Sequence, residues 1–150
     1  MKSESVETIT SHQARIAFPA IFLGKDDIWK LPSEKSMNKG NTLALRQAQS
    51  DIGRLIIDSR GGCFRPTLLV RGKPLDPWWD IKNRLLLGRY YEWLWEFRIE
   101  PTISIEVARE RLLEHAENDS YPPRSRRYLR RLAKAESFDA FAKQILDEFK

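Results

Sequence analysis

The sequence predicts one α+β domain of 150 residues that is mostly helical, with short β segments near its start. Three observations lead there. Apolar residues recur at three- and four-residue spacing through several stretches after residue 41. The short runs with strand character lie before residue 75. A 41% hydrophobic content with five Trp and seven Phe is enough to build one core without disulfides or metal.

Residues 1–13 are polar, lack an apolar signal core and read as a flexible tail. Ala14 to Leu23 is apolar and aromatic but carries Pro19, which places it at a sheet edge or breaks it in two and makes it a poor central strand. Ile28 to Leu31 suits a short strand. Residues 32–41, "PSEKSMNKGN", read as a polar mobile loop. A helix capped by Asn41 or Thr42 should run to about Asp58, with Leu45, Ala48, Ile52, Leu55 and Ile56 on its inner face. "RGG" at residues 60–62 ends it, and Thr67 to Pro74 follows as a strand that pairs with the N-terminal region.

Asp76 and Pro77 form a helix start, the carboxylate accepting first-turn amides and the proline giving up an amide that has no partner there. A central aromatic helix is then expected to about Arg98. Trp79, Leu86, Tyr90, Trp93, Leu94 and Phe97 form one broad face, and Trp78 and Trp95 are the tryptophans expected to stay partly exposed, as partner contacts. Residues 104–150 should form a three-helix layer over it: Ser104 to Ala116, Pro123 to Ala135 and Ser137 to Phe149, joined by short links.

Charge supplies the functional signal. The net charge is +5, yet Arg124, Arg126, Arg127, Arg130, Arg131 and Lys134 place six cations and no acid between Pro122 and Ala135, so the remainder of the chain is close to neutral. On a helix they oppose Tyr128, Leu129 and Leu132. Neighbouring cations repel one another, and an external anion relieves the repulsion. Arginine binds phosphate bidentately, and counterion release from nucleic acid adds affinity. The leading expectation is a non-catalytic DNA- or RNA-binding accessory or regulatory protein. The competing one is a protein-interaction module, such as an inhibitor, an antitoxin-like partner or a subunit of a larger complex, whose arginines dock an acidic protein surface. A bland alternative pairs the arginines with Glu106, Glu110 and Glu114 of the preceding helix. The helix–link–helix order resembles helix-turn-helix geometry, with Ser125, Arg126 and Arg130 near base edges, although the link lacks the glycine common in such turns.

Catalysis is not expected. His12 and His115 are widely separated, one in the tail and one at a helix edge. A metal-dependent nuclease is the least remote enzymatic reading, through Asp58, Asp80 and Lys82, but on a helix Asp80 and Lys82 point apart. Cys63 is the one cysteine, so no intramolecular disulfide or cysteine metal cluster forms, and no histidine or aspartate adjoins it to make a nucleophile. No cofactor or metal site is expected. No apolar run is long enough to span a bilayer, so integral membrane association is not expected and a cytoplasmic setting is.

Overall fold

The computed structural model describes residues 8–10, 15–75 and 90–147. Its centre is an antiparallel sheet of seven strands: β1 (Thr8–Thr10), β2 (Ala20–Leu23), β3 (Ile28–Leu31), β4 (Lys39–Asn41), β5 (Leu55–Ile57), β6 (Cys63–Pro74) and β7 (Tyr90–Glu100). The main order is β1-β7-β6-β5-β2-β3. β4 and β1 share one edge, β4 alongside Tyr90 to Glu92 and β1 alongside Glu96 to Arg98. Helices α1 (Glu34–Met37) and α2 (Thr42–Ser50) belong to one side of the sheet, and α3 (Ile105–Ala116), α4 (Pro123–Leu132) and α5 (Phe138–Asp147) to the other.

The expected helical majority is therefore corrected to a sheet with a helical layer on each face. The segment most responsible is 90–98, expected as the end of the aromatic helix. It is strand β7, in register with β6 from Cys63↔Glu100 to Pro74↔Tyr91 across two irregularities. Trp93, Trp95 and Phe97 recur every second residue and all three are buried on the α1–α2 side, while Leu94 between them is exposed. A wheel so apolar on nearly every side fits either period, and the β preference of Trp, Tyr, Phe and Ile in a two-residue alternation decides the outcome. The remainder of the expected helix, residues 77–89 with Trp78 and Trp79, lies outside the described residues.

The helix expected from Asn41 to Asp58 stops at Ser50. Asn41 is its N-cap, its side chain accepting from the Ala44 N–H at 2.8 Å. Beyond a turn, Leu55 to Ile57 forms β5 between β2 and β6. The three residues are all apolar because a strand between two helical layers buries both faces: Leu55 and Ile57 join the cluster under α3–α5, and Ile56 joins the tryptophan cluster. β2 follows the same rule. Pro19 breaks the apolar run in two, and the half after it is an interior strand rather than an edge, with Ile21 and Leu23 on one side and Ala20 and Phe22 on the other.

Two further expectations change. The segment expected as a loop, 32–41, holds α1 and β4, with Ser33 capping α1 and Met37 buried. The strand expected at Thr67 to Pro74 is the second part of β6 and pairs with β7 rather than with the N-terminal region, while β5 pairs with Cys63 and Phe64 at the start of β6. The turn before β6 depends on Gly61, at φ +79°, because a side chain there would run into the Ile103 carbonyl and the Phe138 ring. Asp58 accepts the N–H groups of Ala17, Arg60 and Gly62 at 2.7–2.9 Å and so ties this turn to the start of β2.

Candidate functional site

The arginine-rich segment is a helix, α4, whose inner side is set by Tyr128, Leu129 and Leu132, all buried in the aliphatic cluster. Pro123 opens it at a position where its missing N–H costs nothing. Its placement is decided by the preceding link. Tyr121 is buried, and its hydroxyl donates to the Gly24 carbonyl in the β2–β3 turn. Asn118 Nδ2 donates to the Lys25 carbonyl at 3.3 Å, and Ser125 donates to Asp27. Asp51 holds the same turn from the opposite side, accepting the Lys25 N–H and the Trp29 indole N–H at 2.8 Å each. The turn is gripped on both sides, which fixes α4 beside β3, the strand at the sheet edge.

This packing sorts the six predicted cations into groups. Arg126 and Arg130 face back toward the α3–α4 link. Arg126 Nη1 stands 3.9 Å from Asp119, and Arg130 Nη2 stands 3.9 Å from Glu117 and 3.5 Å from the Ala116 carbonyl. Arg124 and Arg131 face β3 and, with Lys30, line a groove of about 580 Å³ between strand and helix. Lys30 Nζ lies 4.2 Å from the Tyr128 ring centroid, and the Arg131 guanidinium 5.8 Å from it. Arg127 and Lys134 are exposed.

The three side chains expected near base edges each have an acidic neighbour. Ser125 is engaged by Asp27, and Arg126 and Arg130 are directed to Asp119 and Glu117. The acids opposite those two arginines come from the link itself rather than from the Glu106, Glu110 and Glu114 side of α3. Lys30 carried no signal in sequence. It stands alone in "IWKL" and becomes part of a basic surface only through the packing of β3 against α4.

Trp95, expected to be partly exposed, is 4% exposed, and its indole N–H donates to the Met37 carbonyl at 3.0 Å. Trp78, Asp80, Lys82 and His12 lie outside the described residues. Asp58 spends its carboxylate on three backbone amides. His115 places Nδ1 2.9 Å from the Arg111 carbonyl and stacks on Tyr121. The Cys63 thiol is pushed up to about 11, first by burial and then by the nearby carboxylates of Glu100 and Asp58, so it stays a protonated, weak nucleophile near neutral pH. Among the described residues no group of three or more His, Cys, Asp or Glu side chains is placed to hold a metal ion, and no helix is long and apolar enough to cross a membrane.

The fold and this surface define a class: an antiparallel α+β domain carrying an arginine-rich helix beside a sheet edge. No protein-family model, curated protein or solved structure matches the chain. Its function therefore rests on the chemistry of that surface.

Proposed function

We propose that the protein binds nucleic acid without catalysis, through phosphate contacts made by the outer face of α4 and the neighbouring Lys30. One observation carries the reading. Arg124 and Arg131 of α4 meet Lys30 of β3 along one groove, and Arg127 on α4 and Lys134 just beyond its end are exposed, so cations from two elements come together beside the sheet edge. Guanidinium and ammonium groups held on a rigid helix and strand match a row of phosphates, and counterion release supplies the affinity. The engagement of Arg126 and Arg130 with the link favours backbone contact over reading of base edges.

The test compares two variants across a salt series with random duplex DNA and structured RNA. In the first, Arg124, Arg127, Arg131 and Lys134 become glutamine; in the second, only Arg126 and Arg130 do. The wild type should bind with a log-affinity against log-salt slope equivalent to about three to five phosphate contacts. The first variant should lose most of that slope while remaining folded, and the second should keep most of it. Failure of the wild type to bind either nucleic acid at low salt would turn the assignment to an acidic protein surface. Equal losses per charge in the two variants would show that the surface is wrongly divided.

A further inference from the structure

The tryptophan side of the sheet contains a cavity of about 160 Å³ between α2 and the sheet. Its walls have a definite chemical character. Trp29, Trp93 and Trp95 line it from β3 and β7, and Gly40, Ala44 and Ala48 line it from β4 and α2. Ala44 and Ala48 are one helical turn apart, so α2 turns two short side chains toward the space where longer ones would fill it. Gly40 is bare because any Cβ there would strike the Trp93 ring.

The three indole N–H groups are all used inside the protein. Trp29 donates to Asp51 Oδ2 at 2.8 Å, Trp93 to the Gly40 carbonyl at 3.3 Å and Trp95 to the Met37 carbonyl at 3.0 Å. These donors are spent, so the indoles offer the cavity their ring carbons. An enclosed apolar cavity of about 150 Å³ takes up a molecule the size of benzene, and this one has a similar volume and opens toward the exposed Ser36 and Lys39. The polar side chains among the lining residues are those of the exposed Ser36 and Lys39 and of the half-buried Lys30.

The geometry points to a binding site for a small single-ring aromatic molecule with one polar substituent, of the phenol class, its ring held among the three tryptophans and its substituent directed toward Ser36 and Lys39. The volume sets the size, since one ring fills it and two do not. The aromatic walls set the chemistry, because offset and edge contacts between rings add to the gain from burial. Trp29 and Lys30 of the edge strand β3 line both this cavity and the groove beside α4, while Ala44, Ala48, Trp93 and Trp95 line the cavity and not the groove, so substitutions at the alanines test it apart from the nucleic-acid reading.

Phenol itself is the probe, titrated into the full chain and followed by calorimetry and by the indole N–H resonances of Trp93 and Trp95. Saturable shifts of both resonances are expected, with 1-naphthol at least tenfold weaker. Ala44→Leu and Ala48→Leu each fill the space and should weaken phenol at least tenfold. Ala44 is the less buried of the two, so Ala44→Leu serves if Ala48→Leu does not fold. Absence of saturable shifts in the wild type at millimolar phenol, equal affinity for 1-naphthol, or unchanged binding by folded Ala44→Leu would each overturn the proposal.

Discussion

The two faces of the sheet are packed by different chemistry although they share the same strands. Toward α3–α5 the core is mainly aliphatic, with Ile21, Leu23, Ile57, Leu112, Leu129 and Ile145 fully buried and Tyr121 bridging to the β2–β3 turn. Toward α1 and α2 it is aromatic, with Phe22, Phe64, Trp93, Trp95 and Phe97 in stacked and edge-to-face contact. Large flat rings facing the short residues of a two-turn helix leave a gap. The basic groove lies beside α4 on the aliphatic face and the tryptophan-lined cavity on the aromatic face, and the edge strand β3 contributes Trp29 and Lys30 to both.

The largest expected effects test whether these faces are one cooperative unit. Trp95→Ala should cost about 3 to 5 kcal/mol and Leu129→Ala about 2 to 5 kcal/mol, measured by denaturant unfolding. Both should lower the same single transition, read alike by tryptophan fluorescence and by helical circular dichroism, because β2 and β5 belong to both clusters. Two separate transitions would mean that the shared strands do not couple the layers.

A smaller effect comes from the close approaches that join each layer to the sheet. Gly40→Ala would press on the Trp93 ring, and Gly61→Ala on the Ile103 carbonyl and the Phe138 ring. Each should lower stability by about 1 to 3 kcal/mol. Gly61→Ala should cost more, since it adds a positive φ and a backbone obstacle, where Gly40→Ala meets only a side chain. A reversed order in thermal unfolding would show that the tryptophan layer is the more tightly packed of the two.

The smallest effect belongs to Tyr121. Its phenol is pushed up from 10.0 to about 12, chiefly by burial and next by Asp51, and the Cys63 thiol from 9.0 to about 11. Both groups are protonated in folded and unfolded chains near neutral pH, so they leave stability there unchanged. As pH rises from 9 to 11 for Cys63, and from 10 to 12 for Tyr121, the unfolded chain ionises while the native one resists, and stability falls. Tyr121→Phe should cost about 1 kcal/mol at neutral pH, through the lost bond to the Gly24 carbonyl, and should flatten the decline above pH 10. An unaltered alkaline slope in that variant would place the titrating group elsewhere.

The outline of α3, α4 and α5 was legible because each combines a start signal with one apolar stripe. Ser104 and Ser137 cap the first and third through the Val107 and Ala140 N–H groups, and Pro123 opens the second. The buried side of α4, with Tyr128, Leu129 and Leu132, was legible for the same reason, as was the N-cap of α2 at Asn41. The alternation of Trp93, Trp95 and Phe97 was also present in the sequence, but the dense apolar residues between Pro77 and Arg98 fitted a helical period as well.

By itself, then, the sequence determined the local facts: where helices begin, which side of α4 is apolar, and that five arginines crowd its remainder with Lys134 just beyond. Tertiary structure alone decided that Leu55 to Ile57 leaves a helical pattern to become a strand, because only neighbours on both sides and a layer on each face make three consecutive apolar residues favourable in extended form. It also decided that Lys30 joins the arginines while Arg126 and Arg130 turn to the link, and that three tryptophans from two strands surround one cavity. Spacing along a chain encodes the periodicity of one element, whereas the meeting of side chains from separate elements depends on how those elements pack.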